Sequence, residues 1–469
     1  MKKSILLISP TYRWWWVAPP CGIGWIANSL KKIDVRTKFI DCQITPRYKK
    51  KILQSLNEYD LVGITVNVST ISNALEISSF IRKNSPKTKI IMGGPHPTAM
   101  YEKLIPNYAD IVVLGEGEDT ITELMQKEQL STIKGIAYFQ NGKLEVNPSR
   151  PLIEDLDNLG MPAWELYNLK KYRFASVPVP FAMITTSRGC PYNCIYCTKF
   201  IHGTKIRLRS PENVLEEIDY LVNNFTVEEI QIVDDNFTLL IEHSKNICKE
   251  IINHNYEKVR FSLPYGIKAD IIIDDELVGL LAKAKFHQVA ISIESGSQEV
   301  LKKIGRNQLN TEVLRANIKS IRKAGIEVNL YFMIGLPFDT IETMQKTIDL
   351  AKSLLPVDNV CFYMAIPFPG TAFYDMVKEK GKFLCNLTTN SFTYTGKATY
   401  EMGSLKAKDM NKMYRKAYRL FLFRAPLIKR ILKINIKSLR IFYGLIKYGF
   451  NLLFCGGQIK NKSYLNENV

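Results

Sequence analysis

Short apolar runs alternate with amphipathic segments through most of this chain, and they do so in two separate series. The first comprises SILLIS (4–9), TKFID (37–41), LVGITVNV (61–68), KIIMGG (89–94) and DIVVLG (110–115). These runs are rich in Val and Ile and apolar nearly throughout. Strands read this way when helices cover both faces of a parallel sheet. GIGWIANSLKK, ISNALEISSFIRKN and EDTITELMQ lie between them with helical periodicity. The pattern predicts a doubly wound, Rossmann-like α/β domain over residues 1–149. GIAYFQNGKLEVN closes it as a hairpin, with Asn141-Gly142 as the turn. SILLIS is read as a first strand and not as a signal peptide, because Ser9-Pro10 interrupts it and no small-residue cleavage site follows.

Residues 150–180 carry Pro151, Pro162, Pro178 and Pro180 with little periodicity and are read as a linker. The second series then begins: FAMITTSRG (181–189), EIQIVDD (229–235), VRFSLPYG (259–266), QVAISIESG (288–296), EVNLYFMIG (327–335) and NVCFYMAI (359–366). A helix-like segment separates each pair. Six βα units predict a parallel (β/α)6-type partial TIM barrel over 181–380, with its chemistry at the C-terminal ends of the strands. Those ends read SRGC, DDNF, SIESG, IGLP and IPFPG.

Residues 381–469 form a basic, helical C-terminal region. From Gly403 onward there are 15 Lys and Arg side chains against two acids, Asp409 and Glu467, so most of the net charge of +18 belongs to this tail. Such a segment suits a helical cap on the barrel whose polar side is basic. It equally suits an amphipathic helix drawn to an anionic membrane surface. Nothing resembling an RNA-binding module accompanies it, so nucleic acid is not an expected partner. No uncharged apolar run reaches the roughly 18–20 residues of a spanning helix. Six of the nine cysteines are scattered singly. This argues against a disulfide framework and for a reducing, cytoplasmic setting, with peripheral membrane contact through the tail.

The other three cysteines, Cys190, Cys194 and Cys197, follow the first strand of the second series in GCPYNCIYC. Their C-x3-C-x2-C spacing is not that of four-thiolate ferredoxin runs. Zinc held by three thiolates and His202 is one arrangement this loop allows. A [4Fe–4S] cluster on three thiolates, with its fourth iron open, fits the spacing better. The motif resembles the radical S-adenosylmethionine superfamily, with Tyr196 as the aromatic residue before the third cysteine. The resemblance implies that Cys190, Cys194 and Cys197 are catalytic cluster ligands and that the open iron chelates S-adenosylmethionine. One electron, from a donor such as flavodoxin or ferredoxin, would then split that molecule into methionine and a 5′-deoxyadenosyl radical. The resemblance also implies cofactor contacts from Tyr196, and from Asp234 and Asp235, with Asn236, facing the barrel mouth. Ser292, Glu294 and Ser295 would border the ribose or methionine part, and the turn at Gly335 and Pro337 would lie under the adenine. GIKAD resembles the family's R-A-D segment with Lys268 in place of the arginine. On a purely structural reading, these are strand-end turns and helix caps.

PPCGIGWIANSL (19–30), GGPHPT (93–98) and LGEGE (114–118) resemble the cobalamin-binding domain that precedes many radical S-adenosylmethionine enzymes. The two resemblances together cover about residues 1–380. Gly93, Gly94, Gly115 and Gly117 would let a bulky cofactor approach the backbone. The D-x-H-x-x-G motif of cobalamin proteins with a histidine ligand is absent. His96, the one histidine of the domain, reads as structural. The architecture implies methylation, by way of cobalamin, of an unactivated carbon in a small-molecule or lipid-like substrate. Radical cyclisation, oxidation or rearrangement, as in the anaerobic magnesium-protoporphyrin monomethyl ester cyclases, is the alternative. A cobalamin- or redox-responsive binding protein is a third reading, against which the intact cysteine triad argues.

Overall fold

The computed structural model describes residues 3–12, 17–173, 177–270, 274–386 and 396–422. Its first unit runs β1 (Ile5–Ser9), α1 (Cys21–Lys32), β2 (Thr37–Asp41), α2 (Tyr48–Ser55), β3 (Leu61–Thr65), α3 (Ile71–Asn84) and β4 (Lys89–Gly93). It continues with α4 (Pro95–Leu104), β5 (Ile111–Val113), α5 (Glu118–Gln126), β6 (Ile136–Gln140) and β7 (Lys143–Val146). The strands form one sheet in the order β2-β1-β3-β4-β5-β6-β7, parallel as far as β5. Side chains alternate between two cores. Ile5 and Leu7 pack with Ile23 and Leu30 of α1 and Leu124 of α5. Leu6 and Ile8 pack on the other face with Ile52 of α2 and Ile77 and Ile81 of α3. The β6–β7 turn places Asn141 at φ 52° and Gly142 at φ 76°, the left-handed pair that a two-residue hairpin requires.

GGPHPT, read from sequence as a ligand turn, also opens a helix. Pro95 stands at the first position of α4, where its fixed φ and missing N–H carry no penalty. Within the segment read as a linker, residues 156–172 form a partly buried strap with three short 3-10 turns, Asp157–Leu159, Trp164–Leu166 and Leu169–Lys171. Its lack of periodicity hid its aromatics: Trp164 and Tyr172 are fully buried. The Tyr172 hydroxyl donates to Asp41 Oδ2 at 2.8 Å, in the first unit. The Trp164 indole N–H donates to Glu217 Oε1 at 2.8 Å, in the second.

The second unit opens with β8 (Phe181–Ile184), β9 (Ser187–Arg188), β10 (Arg207–Leu208), α6 (Pro211–Phe225), β11 (Glu229–Ile232) and α7 (Ile241–His254). Next come β12 (Arg260–Lys268), α8 (Asp275–Lys283), β13 (Phe286–Glu294), α9 (Gln298–Lys303), α10 (Thr311–Lys323) and β14 (Glu327–Ile334). It ends with α11 (Ile341–Ser353), β15 (Asn359–Met364), α12 (Ala372–Lys380), β16 (Gly381–Phe383), β17 (Tyr400–Met402) and α13 (Ala407–Leu422). Six parallel strands lie in chain order, β8-β11-β12-β13-β14-β15, and the two outer strands do not pair with each other. This is the open, partial barrel that six βα units give. Several of its helices start on side-chain caps: Ser210 accepts from Asn213 N–H, Asp274 from Leu277 N–H and Thr340 from Thr343 N–H.

The start of the basic region caps the barrel. Met410, Met413, Tyr414 and Ala417 of α13 are buried, and the Tyr418 hydroxyl donates to the Phe362 carbonyl on β15 at 2.9 Å. Most of the basic tail, with its expected membrane contact, lies outside the described residues. Among the described residues no helix is long and apolar enough to cross a membrane. Trp164→Ala should lower the denaturation midpoint by the equivalent of about 3–5 kcal/mol, the usual range for truncating a buried large aromatic. The variant also strips a partner from the buried Glu217 carboxylate.

Candidate functional site

The cysteine loop hangs between β9 and β10 and is closed by backbone. Cys190 N–H donates to the Gly203 carbonyl at 3.3 Å, Ile195 N–H to the Ile304 carbonyl at 3.1 Å and Cys197 N–H to the Cys194 carbonyl at 3.2 Å. Gly189 has φ 95°, and a Cβ there would collide with the Lys205 carbonyl. Gly305, at φ 77°, presses against the Asn193 carbonyl in the same way. Cys194 is buried, Cys190 half-buried and Cys197 exposed. A hydrogen bond from Cys197 draws the Cys194 thiol down to about 6; burial opposes this and the Arg306 guanidinium adds to it. The same hydrogen bond, with burial, pushes the Cys197 thiol up, and burial raises that of Cys190. The zinc arrangement is not formed: His202 turns its Nδ1 to Glu116 Oε1 at 3.0 Å. Among the described residues no three Cys, His, Asp or Glu side chains converge on one ion. Three thiols on one short loop would each take a different iron of a [4Fe–4S] cluster.

The strand ends around this loop divide into two groups. Burial raises the Glu294 carboxyl, and the Arg306 charge and Tyr196 oppose it. Arg306 Nη2 donates to the Ser292 carbonyl at 2.6 Å and stands 3.4 Å from Glu294 Oε1. Glu294 itself has φ 68°, a left-handed position for a non-glycine residue. Lys268, in the place of the family arginine, lies 3.1 Å above the Tyr192 ring of the loop and 3.2 Å from Asp270 Oδ2. Asp235 Oδ2 accepts from Gly189 N–H at 3.0 Å, at the entry to the loop.

Asp234 and Ser295 are both engaged by groups of the protein itself. The buried Asp234 carboxylate accepts from Thr186 N–H at 2.6 Å and from the Ser187 hydroxyl at 2.8 Å, so it fixes the β8–β9 connection. Ser295 is fully buried and turns toward Thr347 Oγ1 at 3.3 Å, on α11. Asn236 is also buried, accepting from the Thr238 hydroxyl at 3.3 Å. Gly335, at φ 78°, donates to Asp339 Oδ2 at 3.1 Å and accepts from the Tyr400 hydroxyl at 2.8 Å. With the buried Pro337 it forms a closed turn at the end of β14.

A cavity of about 620 Å³ lies where the C-terminal ends of β1, β3, β4 and β5 face residues following β8 and β11. Gly93, Gly94, Gly115 and Gly117 all line it, but for different reasons. A Cβ on Gly94, at φ 105°, would lie 2.7 Å from the Val66 carbonyl, and one on Gly117 would lie 2.9 Å from Ile26 Cδ1. The chain needs Gly94 for its own packing, whereas at Gly117 the tip of the Ile26 side chain would have to shift. A Cβ on Gly115 or Gly22 would meet no atom within 4 Å, so these positions open onto the cavity. Gln43 Oε1 is buried there with no partner among the described residues. An orphaned acceptor on the wall suits a ligand bearing amide donors, as the corrin periphery does. His96 is buried in the first turn of α4 and does not line the cavity. Cys21 does line it, but burial pushes its thiol up to about 12, so it stays protonated at neutral pH.

Between the cavity and the cysteine loop stands a buried ion network absent from the sequence reading. Arg207 reaches Glu116 Oε2 at 2.8 Å and Oε1 at 2.9 Å. Arg188 reaches Glu116 Oε1 at 3.2 Å and Glu118 Oε1 at 2.6 Å. Burial raises the Glu116 carboxyl, but His202, Arg207 and Arg188 together hold it well below the usual carboxylate range. The LGEGE motif was read for its glycines; its two acids were equally visible, but their partners lie about 70–90 positions away.

The comparisons agree with this geometry. The family model described as the radical SAM superfamily matches residues 184–351, and that of the B12 binding domain matches residues 17–125. An uncharacterized methyltransferase of Pyrococcus horikoshii is 29% identical over 420 residues, spanning 87% of this chain and 89% of the relative. The anaerobic magnesium-protoporphyrin IX monomethyl ester cyclase of Cereibacter sphaeroides is 26% identical over 375 residues, spanning 77% of this chain and 61% of that protein. The radical S-adenosylmethionine methyltransferase TsrM of Kitasatospora setae, solved with cobalamin and a [4Fe–4S] cluster bound, superposes with a TM-score of 0.67 at 21% identity. The match covers 81% of this chain and 78% of TsrM. With both domains in one chain, the protein belongs to the cobalamin-binding-domain-containing radical S-adenosylmethionine enzymes.

Gly189→Ala should block closure of the cysteine loop. After reconstitution with iron and sulfide, the variant is expected to lose most of the cluster absorbance while still taking up cobalamin. Wild-type cluster content in that variant would contradict the packing argument.

Proposed function

We propose that this enzyme methylates an unactivated carbon of a small-molecule or lipid-like substrate, using S-adenosylmethionine, a [4Fe–4S] cluster and cobalamin. The observation that carries this reading is the shared cavity: the C-terminal edges of both sheets open onto one space. Cys190, Cys194 and Cys197 would hold the cluster. Tyr196, Ser292, Glu294 and the Gly335–Pro337 turn would border S-adenosylmethionine, and Gly115 and Gln43 would face the corrin. When bound, the cluster supplies the electron that cleaves S-adenosylmethionine to a 5′-deoxyadenosyl radical, and cobalamin supplies the methyl group.

The chain's own residues orient and insulate. Arg306 favours the thiolate of Cys194. Asp234 and Asp235 grip the two sides of the strand that leads into the loop. Ile23, Ile26, Ile91, Val113 and Met183 give the cavity an apolar wall, which keeps water from a reactive carbon centre. A reduced flavodoxin or ferredoxin would deliver the electron on the side where Cys197 is exposed.

The cyclase relative supports a second reading, radical cyclisation or oxidation without methyl transfer. Methyl-deuterated S-adenosylmethionine separates the two in mass spectra of products from a candidate substrate pool. Label in a product, together with 5′-deoxyadenosine, is expected. 5′-Deoxyadenosine with an altered but unlabelled product would favour the second reading, and Cys194→Ala should abolish both signals.

A further inference from the structure

The cysteine loop has two buried arginines at its roots. Arg188 ends β9 just before the loop, and Arg207 opens β10 just after it. They are direct partners across the antiparallel β9–β10 ladder. Their side chains are only 7% and 1% exposed. Two like charges opposite each other in a ladder repel, and buried guanidiniums cannot lean on water for relief. The barrel itself supplies no carboxylate to either in the described residues. Glu116 and Glu118 come instead from the other domain, at the edge where β5 meets α5.

Glu116 touches the loop at three points. It takes Arg188 at the entry, Arg207 at the exit and His202 within it. Its Oε2 also accepts from Ile153 N–H at 2.9 Å, in the strap. Arg207 completes the knot by donating to the His202 carbonyl at 2.8 Å and the Ile153 carbonyl at 2.6 Å. Glu116, Glu118, Arg188 and His202 are at the same time part of the cavity wall.

We infer that Glu116 is a positioning residue that clamps both ends of the cysteine loop and thereby sets the cluster's place relative to the cobalamin cavity. The inference rests on the proposed occupancy of the two sites. Neutralising the acid leaves two facing arginines with one fewer counter-charge, so the roots of the loop spread and the loop loses its anchor to the cavity wall. A purely structural salt bridge would change stability and leave the spacing of the two cofactors alone.

The test uses the full chain loaded with cluster and cobalamin. Iron, sulfide and corrinoid are counted per chain, and pulsed electron paramagnetic resonance measures the distance between the reduced cluster and cob(II)alamin. Wild type should give one narrow distance. Glu116→Gln should keep its cobalamin, hold less cluster and give a broadened distance distribution, and Glu116→Asp should recover most of the narrow one. A wild-type distance distribution and cluster content in Glu116→Gln overturn the inference. Should that variant fail to fold, Arg207→Lys, which removes the two-point grip of Glu116 on the loop exit, is read in the same way: broadening supports the clamp and an unchanged distance overturns it. Wild-type protein that takes up no cobalamin would sink the functional reading itself, which is a different result.

Discussion

In a parallel sheet every strand delivers its following loop to the same edge, and this chain has two such sheets with those edges turned toward each other. Everything functional depends on that opposition. Loops that follow β1, β3, β4 and β5 meet loops that follow β8 and β11 across one cavity. Neither domain alone encloses the space. The strap between them is therefore more than a tether: it is hydrogen-bonded at Tyr172 to the first domain and at Trp164 to the second. Trp25 of α1 continues the seam, with the guanidiniums of Arg188 and Arg209 5.4 and 5.3 Å from its ring. A cation over an indole gains most when both are shielded from water.

The strands and the cysteine loop were legible because each rests on local information. Val/Ile runs of strand length, helix-period segments and a three-cysteine spacing are properties of neighbours in sequence. Each of the eleven runs read as strands overlaps one, and β1 to β5 fall within the first five. What escaped was decided by partners far away. Nothing in IVDDNF says that Asp234 turns inward to Thr186 and Ser187 while Asp235 turns outward to Gly189. Alternation along a strand makes adjacent residues point to opposite sides, but the side that is the mouth is set by the whole barrel. The contact of Ser295 with Thr347, on α11, is likewise set by residues far away in the chain. The strap escaped because its order comes from buried aromatics and not from periodicity.

Glycine shows the same division. Gly93, Gly94, Gly115 and Gly117 look equivalent in sequence, and all four reach the cavity. An added Cβ would find room at Gly93 and open space at Gly115, where φ 76° strains any side chain, but at Gly94 it would run into the Val66 carbonyl. A glycine required by a nearby backbone and one required by a ligand leave the same letter in the chain. Only the structure separates them, because the distinction lies in what surrounds the missing side chain.

The electrostatics of the seam explain why the two domains form one working unit. A buried ion pair is weak evidence for stability, since desolvation costs several kcal/mol per ion and attraction only partly offsets it. Breaking one is a different matter, because it strands a charge in the interior. With Arg188 and Arg207 facing each other on the barrel, the barrel is electrostatically incomplete until Glu116 and Glu118 arrive. With Glu116 half-encircled by cations, the first domain is incomplete until the barrel arrives. Such a seam favours one docked geometry over slightly displaced ones, which hydrophobic contact alone would tolerate. For the radical chemistry proposed above, fixing that geometry would matter more than any stability the charges add.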